Sequence, residues 1–441
     1  MRRRLLSLLG PLALLAAGCA DLAAGRGTAP GSATPGDTRP FVVVAVPSTA
    51  PRSRIAPPGK GSYLPTTGYG IDPGARRRLA ALARDYHLRR IDAWPIRSLG
   101  VECAVFGIES GESRDGLLAL LTQDPRVRLA QPLQEFTTRS AGGGSAGGGS
   151  AGAGGTDPYA AVQANLRDLG VGAAHRWSQG RGVRIAVVDT GLDTAHPDLA
   201  GRIDTVRNFV DRDARQFNRD RHGTAVAGII AADAGNDVGI GGIAPQARLL
   251  ALKACWQLDG THDAARCNSF TLAQALSAAI DLRARIINLS LVGPPDPLLA
   301  ALARRAIASG ITVVGAEAGD AAGGFPGNVP GVLAVASDAA KVRAAHVLYA
   351  PGREVLTLAP GGRYDFFSGD SIATAEISGI AALLLARDAS LDAEGMRALL
   401  AGSGNGERNA NACEALRLLL KEGECAPAEV EQRAAGAPRG R

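Results

Sequence analysis

Aromatic side chains and charge of one sign are both scarce in this chain of 441 residues. Aromatic residues make up 4% of the sequence, and 48 Lys and Arg against 42 Asp and Glu leave a formal net charge of +6. Nucleic-acid binding relies on a concentrated positive field and, for single strands, on aromatic side chains that stack on bases. The composition therefore gives no support to a nucleic-acid partner.

The amino terminus lacks an apolar run long enough to cross a bilayer. The run over residues 5–18 has 14 residues, whereas a spanning helix needs roughly 20. It follows Met-Arg-Arg-Arg and ends in small residues, which is typical of a secretory signal. We therefore expect residues 1–18 to be a signal peptide and the protein to be exported.

The residues around Cys19 resemble a bacterial lipobox, in which the signal is removed before a cysteine that then carries lipid. The sequence before Cys19 is Leu-Ala-Ala-Gly, and Ala16 stands where Leu is more common. Ala20 favours an outer membrane over an inner one in that resemblance. We expect a lipoprotein of the cell envelope that is held at the membrane through Cys19. The alternative is an ordinary signal peptide and a periplasmic or secreted protein.

Cysteines are few, and none has the Cys-x-x-Cys spacing of common metal sites. Four of them form two pairs twelve residues apart, Cys255 with Cys267 and Cys413 with Cys425. In an oxidising envelope each pair would close a small loop, a contribution of about 3 kcal/mol. Cys103 lies in an alternating apolar stretch and is expected to be buried.

Glycine is abundant, with 57 residues, about twice the usual share. Residues 140–155 contain only Gly, Ser and Ala, a composition that cannot form a core. We expect a linker over 140–156 between two domains, a flexible tether over 19–40 and a disordered tail over 426–441.

The segment 41–139 has the pattern of a small α+β domain. Strands are predicted over 41–46, 88–96, 101–108 and 127–133, and helices over 75–86 and 114–122. This βαββαβ order predicts a ferredoxin-like domain. Nothing in it points to catalysis.

The segment 157–425 alternates apolar strands with helices, which predicts an α/β domain with a mostly parallel central sheet covered on both faces. Sites in such sheets lie at the carboxyl ends of strands. Asp189 follows the strand 183–188, His222 opens a predicted helix, and Ser371 opens a long apolar helix. A serine needs a base to act as a nucleophile near pH 7, and the base needs a carboxylate to fix its tautomer.

These motifs resemble those of the subtilisin-like serine proteases, the subtilase family. Asp-Thr-Gly begins at Asp189, His-Gly-Thr begins at His222, and Gly-x-Ser-x-Ala-Thr surrounds Ser371, in the family's order. The resemblance implies a three-layer subtilisin-like fold and cleavage of peptide or protein substrates through an acyl-enzyme on Ser371. His222 would be the general base and acid, and Asp189 would orient it.

The same resemblance assigns a role to the small domain and to one sheet edge. Family members carry an amino-terminal prodomain of this kind, which assists folding and inhibits the site, so 133–139 would run into the cleft. The alternative is an unrelated small domain. The substrate backbone would pair with Ser290, Leu291, Val292 and Gly293, where Val292 replaces the usual Gly and borders the primary pocket.

Each motif residue has a simpler interpretation when it is taken alone. Asp189 could end a strand in a turn, and His222 or Ser371 could cap a helix. Asp193 and His196 are the nearest competing acid and imidazole, and we interpret His196 as structural.

One departure from the family concerns the oxyanion hole, where Asp320 stands in place of an Asn. An ionised carboxylate cannot donate a hydrogen bond and repels the developing negative charge. Together with Glu317, Asp370 and Glu376, it predicts an acidic cleft. The resulting alternative is a low-activity or inactive subtilase-fold lipoprotein that binds or scaffolds.

The family resemblance implies no cofactor for catalysis. Some relatives bind structural calcium near the positions of Asp198 and Asn236. Two oxygen ligands are far fewer than the six to eight that calcium takes, and both residues fit turns equally well.

Overall fold

The computed structural model describes residues 38–48, 72–138, 157–211, 213–258, 264–317, 323–337, 346–404 and 409–425. The predicted signal peptide, Cys19, the linker 140–156, Asp320 and the tail 426–441 lie outside these ranges. Within the described part of the chain, no helix combines the length and apolar character needed to cross a membrane.

The first domain is a four-stranded antiparallel sheet with two helices. Its elements are β1 Phe41–Pro47, α1 Pro73–Asp85, β2 Leu88–Ile96, β3 Val101–Ile108, α2 Arg114–Gln123 and β4 Leu129–Pro132. The strand order β2-β3-β1-β4 gives the predicted ferredoxin-like arrangement. Local capping fixes the helix starts, since the side chain of Asp72 accepts from Gly74 N and Ala75 N.

The two faces of this small sheet contact different neighbours. Val42 and Val44 of β1 face α1 and α2. Val43 and Ala45 point the other way, into an apolar cluster shared with the larger domain. Cys103 belongs to that second cluster and is buried, as expected, and burial raises the pKa of its thiol.

The rest of the chain alternates strands and helices. The elements are β5 Glu135–Thr137, α3 Ala164–Asp168, α4 Val171–Ala174, β6 Arg184–Asp189, β7 Ile203–Asn208, α5 Ala214–Phe217, α6 Arg221–Ala231, β8 Arg248–Lys253, β9 Cys255–Gln257, β10 Ala265–Asn268, α7 Ser269–Asp281, β11 Ile286–Leu289, α8 Pro297–Ile307, β12 Thr312–Ala316, β13 Leu333–Ala336, β14 Val347–Tyr349, β15 Val355–Ala359, β16 Arg363–Phe367, α9 Asp370–Arg387, α10 Ala393–Gly402 and α11 Ala412–Leu420. Short 3₁₀ turns cover Ala160–Val162 and Pro197–Leu199.

The central sheet has seven strands in the order β14-β13-β12-β11-β6-β8-β7, all parallel. Ile185 and Val187 of β6 pack with α6 and α9 on one face. Ala186 and Val188 pack with α7 and α8 on the other face. The predicted three-layer α/β architecture is confirmed, and the apolar run of β6 is explained by burial on both faces.

Both predicted disulfides are present. Cys255–Cys267 joins β9 to β10, and Cys413–Cys425 joins the start of α11 to the segment that follows it. The first disulfide links two neighbouring strands of a small three-stranded sheet, in the order β5-β10-β9. It therefore supports the strand β10, against which the end of the first domain pairs.

Candidate active site

The three predicted catalytic residues lie at the ends of neighbouring elements. Asp189 is the last residue of β6, while His222 and Ser371 are the second residues of α6 and α9. α6 packs against both β6 and α9. Gly223 permits this approach, because a Cβ atom there would lie 2.4 Å from the carbonyl oxygen of Gly191.

Asp189 and His222 form a buried hydrogen-bonded pair. Nδ1 of His222 lies 2.7 Å from Oδ1 of Asp189, and both side chains are 1% exposed. Oδ1 also accepts from the backbone N–H of Thr190 at 2.6 Å. This arrangement fixes the imidazole with its proton on Nδ1, leaving Nε2 as the basic nitrogen.

Ser371 is not hydrogen-bonded to the imidazole. Its Oγ donates to the backbone oxygen of Ser290 at 3.0 Å. Nε2 of His222 is buried and has no hydrogen-bond partner among the described residues. The structure therefore joins the acid to the base and does not join the base to the nucleophile. A rotation of the Ser371 side chain would be needed to form that contact.

Ser290, which the sequence analysis assigned to the substrate edge, also holds Ser371, and Asn288 and Ser378 support it in turn. Oγ of Ser290 donates to the carbonyl oxygen of Ser371 at 3.0 Å and accepts from Asn288 Nδ2 at 2.9 Å. Ser378, two turns along α9, donates to Asn288 Oδ1 at 2.8 Å. The available signal was Asn288 itself, a polar residue inside the apolar strand β11.

The segment after β11 is an edge already paired with the chain's own first domain. The N–H of Thr137 donates to the oxygen of Val292 at 2.9 Å, and the N–H of Val292 donates back at 2.9 Å. On its other side, β5 pairs antiparallel with β10, with Thr137 opposite Arg266. Gly293 pairs in turn with Phe325. The residues 135–137 thus occupy a slot between two edges, which is β-augmentation within one chain.

Phe136 fills a pocket beside this slot. Its ring is 1% exposed and meets the ring of Phe325 edge-on, with centroids 5.8 Å apart. A Cβ atom on Gly293 would lie 2.2 Å from that ring, so only glycine fits there with Phe136 in place. Val292 packs against Ala316 on the neighbouring strand β12.

The expectation of an acidic cleft is wrong for Glu376. Glu376 lies five residues after Ser371, which on an α-helix is about 140° around the axis. It is fully buried and accepts from Asn165 Nδ2 at 2.9 Å. The carboxylate of Asp370 accepts from the N–H and hydroxyl of Ser337.

Burial raises the pKa of Glu376 well above its ordinary value of 4.5, and the bond from Asn165 opposes this only in part. Glu376 therefore loses its proton at a lower pH in the unfolded chain than in the folded chain. The free energy of unfolding consequently falls as pH rises above 4.5. Glu376→Gln should remove that fall, which amounts to about 1.4 kcal/mol per pH unit. Urea unfolding at pH 5 and pH 7 would measure it, and the variant should be the more stable protein at pH 7.

The exposed residue Glu354 provides the control for this prediction. Glu354→Gln should leave the pH dependence of the free energy of unfolding unchanged. An equal pH dependence in wild type and Glu376→Gln would contradict the assignment of a protonated Glu376.

The residues near the expected calcium position do not fit a metal ion. Asp198 accepts from Asn236 Nδ2 at 3.2 Å and from the N–H of Ile240 at 3.0 Å, and the hydroxyl of Tyr364 also donates to it. Donors therefore face the oxygens that calcium would need, and burial raises the pKa of this carboxyl. Among the described residues, no cluster of three or more His, Cys, Asp or Glu side chains could hold a metal.

The competing acid and imidazole have structural partners. Asp193 accepts from the N–H groups of Ala195 and Gly361. Nδ1 of His196 accepts from Asp198 N, and its Nε2 lies 3.1 Å from the oxygen of Arg363. Both therefore brace the loop after β6, as we expected for His196.

Comparison with known proteins places this site among enzymes of one kind. A model described as the subtilase family matches residues 180–413, a little over half of the chain. An intracellular serine protease from Paenibacillus polymyxa is 38% identical over 233 residues, which cover 47% of this chain and 68% of that protein. Thermitase from Thermoactinomyces vulgaris is 34% identical over 241 residues, which cover 52% of this chain and 84% of that protein.

A solved structure extends the likeness over more of the chain. Fervidolysin from Fervidobacterium pennivorans, described as a keratinolytic enzyme related to subtilisin, is similar with a TM-score of 0.66. The likeness covers 86% of this chain and 60% of that chain at 18% identity, so it shows the fold alone.

Proposed function

The chain belongs to the subtilase family of serine-type endopeptidases, and from this premise we propose that it cleaves peptide bonds through Ser371, His222 and Asp189. The observation that supports these roles is the buried Asp189–His222 pair, held 2.7 Å apart where α6 meets the end of β6. Ser371 sits at the equivalent end of the neighbouring helix α9.

In the proposed reaction, Oγ of Ser371 attacks the carbonyl carbon of the substrate while Nε2 of His222 takes the hydroxyl proton. The resulting imidazolium is stabilised by the carboxylate of Asp189 and then gives the proton to the leaving amine. Water, activated by the same imidazole, hydrolyses the acyl-enzyme. The Oγ of Ser371 must first leave the carbonyl of Ser290, and a substrate strand along residues 290–293 would compete for that edge.

Covalent labelling with a fluorophosphonate tests the proposal, because the probe reacts only with an activated serine. Once self-cleavage has released the segment 41–139, the wild-type enzyme should be labelled once, whereas Ser371→Ala should take no label and labelling should fall strongly in His222→Ala. Ser309→Ala, which removes an exposed hydroxyl that donates to the backbone oxygen of Arg305, is the matched control and should keep its label. Labelling that survives in Ser371→Ala would overturn the assignment of the nucleophile.

A second candidate function is a subtilase-fold lipoprotein that binds or scaffolds without useful turnover. Asp320 at the expected oxyanion position favours it, as does the absence of a His222–Ser371 hydrogen bond in the described structure. The same labelling experiment separates the two candidates, since a scaffold with an unactivated Ser371 would not react.

We also propose that the segment 41–139 is an intramolecular inhibitor and folding aid. Support comes from the strand β5, which occupies the slot beside residues 290–293, and from the burial of Asp189, His222 and Ser371, each at most 1% exposed. A substrate that occupies the same slot would have to displace β5.

The register of this strand suggests where the chain is cut. Thr137 is the antiparallel partner of Val292, so a polypeptide continuing by two residues would face Ser290. The oxygen of Ser290 is the one that holds Oγ of Ser371. In this sequence the residue two after Thr137 is Arg139, and we propose cleavage between Arg139 and Ser140, where the predicted linker begins.

Expression of the full-length chain tests this cleavage. Wild type should yield a fragment whose amino-terminal residue is Ser140, whereas Ser371→Ala should remain uncut. Mixing the uncut Ser371→Ala protein with processed enzyme would show whether the cut also occurs between molecules. A wild-type fragment that begins at a residue other than Ser140 would refute the cleavage site inferred from the register. Cleavage of Ser371→Ala in the absence of processed enzyme would refute self-processing.

Export and attachment through Cys19 complete the proposal, supported by the sequence of residues 1–19. Mass spectrometry of the amino-terminal peptide should find lipid on Cys19 and no residues before it. Cys19→Ala should carry no lipid and should keep residues 1–18, because a lipobox signal is removed only before that cysteine; loss of residues 1–18 from Cys19→Ala would contradict the anchor.

A further inference from the structure

A buried ion pair lies beside the acid and the base. Nζ of Lys253 donates to Oδ2 of Asp220, and the side chains are 1% and 0% exposed. Lys253 is the last residue of β8 and the register partner of Asp189 at the end of β6. Asp220 immediately precedes α6, two residues before His222. The pair therefore stands between the strand that carries the acid and the helix that carries the base.

Asp220 also connects the loop after the acid to the start of the helix. Its Oδ2 accepts from the N–H of Gly191 at 2.8 Å, and its Oδ1 accepts from Gln216 Nε2 at 3.1 Å. Its backbone oxygen accepts from the hydroxyl of Thr224 at 2.6 Å. Aspartate at a helix start commonly caps the helix with its side chain, but here the carboxylate makes no cap bond to α6. It is used instead to hold the acid loop.

The charges of the pair balance each other. Burial raises the pKa of Asp220, while Lys253 and the hydrogen bonds from Gly191 and Gln216 lower it. Removing one partner of a buried pair leaves an uncompensated charge in a region where screening is weak. That remaining charge would lie close to the Asp189–His222 pair.

Few other charges lie near the imidazole. α6 packs against β6, β8, β15, α9 and the turn Pro197–Leu199. The titratable or charged side chains on these elements are Asp189 and Arg184 on β6, Lys253 and Arg248 on β8, Asp198 in the turn, and Asp370, Glu376 and Arg387 on α9. Arg221 on α6 itself is paired with Asp365. Arg184 and Arg248 are the first residues of β6 and β8, at the ends of these strands away from His222, and the carboxylate of Asp370 accepts from Ser337.

We infer that Asp220 and Lys253 are positioning residues. They hold the loop after Asp189 against helix α6, which carries His222, and keep the surroundings of His222 electrically neutral. This inference rests on the proposed catalytic roles of Asp189 and His222 and adds a second layer to them. Neither residue contacts the reacting atoms. Their effect is exerted on the position and the basicity of the imidazole.

The test is the pKa of the His222 imidazole, followed by NMR titration in the full-length protein carrying Ser371→Ala, which stays uncut, and assigned by comparison with His222→Ala. Lys253→Met leaves a negative charge, which stabilises the imidazolium and should raise this pKa. Asp220→Asn leaves a positive charge and should lower it. A unit charge on the order of 10 Å away shifts a pKa by about one unit at an intermediate dielectric. In the double variant the two effects should cancel.

Arg248→Met is the matched control, because it removes a positive charge from the same strand at an exposed position. It should leave the pKa of His222 unchanged. The rate of fluorophosphonate labelling against pH provides a second readout, whose acid limb should move with the imidazole. Circular dichroism identifies any variant that does not fold. If a single variant fails to fold, the charge-balanced double variant still reports the effect of losing the hydrogen bonds that Asp220 makes.

Opposite shifts in the two single variants are expected only if the pair controls the charge around His222. Shifts in the same direction, or no shift with a lower labelling rate, would overturn the inference and leave a merely structural pair. The expected titrations in the Ser371→Ala background, together with a wild-type protein that is never labelled, would defeat the proposed catalytic function and leave this inference intact.

Discussion

Asparagine in place of Asp320 is expected to raise kcat at pH 7 by about 10² to 10³, the factor by which loss of the corresponding donor lowers it in subtilisin, the worked case for this effect. The expectation comes from the sequence alone, because the position lies outside the described residues. At the oxyanion position that the family resemblance implies, the carboxylate of Asp320 would offer no donor and would repel the developing charge, whereas an Asn amide would donate. Hydrolysis of a peptide ester by wild type and Asp320→Asn, followed from pH 5 to pH 8, would measure the difference.

The dependence of kcat on pH tests the physical reason for this prediction. Protonation turns the Asp320 carboxyl into a donor, so the advantage of Asp320→Asn should shrink as pH falls. Asp370→Asn is the control, since the carboxylate of Asp370 is bound to Ser337 and its loss should not raise kcat. No gain in Asp320→Asn at pH 7 would show that the oxyanion is stabilised by other groups.

Asp189→Asn should lower kcat by about 10⁴, the loss typical of an orienting carboxylate replaced by an amide. Oδ1 of Asp189 accepts both from Nδ1 of His222 and from the N–H of Thr190. In Asp189→Asn, the amide oxygen would accept from the N–H of Thr190, and the amide nitrogen would face Nδ1 of His222. Because that nitrogen donates, Nδ1 would have to accept, and the imidazole proton would move to Nε2. The measurement is best made in the Asp320→Asn background, where a loss of this size remains above the uncatalysed rate.

The neighbouring acid provides the comparison for this loss. The carboxylate of Asp193 accepts from the N–H groups of Ala195 and Gly361. Asp193→Asn should therefore lower the free energy of unfolding and leave kcat nearly unchanged. A comparable drop in kcat for both variants would mean that Asp189 acts through loop stability rather than through the tautomer of His222.

The sequence predicts the elements that are buried on both faces or repeat with a clear period. The strand at Arg184–Asp189 lies within a residue of its predicted range, and the helix at Asp370–Arg387 begins within a residue of its predicted start, because continuous burial leaves a continuous apolar run. The strand β7, Ile203–Asn208, was missed since it lies at the sheet edge and its side chains are partly exposed and polar. β5 and β10 are three and four residues long and exist only through pairing across the chain.

The candidate site divides in the same way. Motif spacing predicts that Asp189 and His222 meet, and the structure places them in contact. No local pattern predicts that Ser371 donates to Ser290, or that Glu376 turns away from the cleft to Asn165, because those contacts depend on long-range packing. The pairing of Asp220 with Lys253 cannot be predicted from the sequence either, because no motif connects these two residues.

The sheet of the small domain has two apolar faces, and this bears on the proposed release of that domain. Val43, Cys103 and Val105 are almost fully buried, and the domain's own helices cover only the opposite face. Once separated from the larger domain, this face would present a stripe of bare apolar surface to water, which favours aggregation and digestion. We expect the detached domain to be short-lived, so that release of the enzyme is a one-way event rather than a reversible equilibrium.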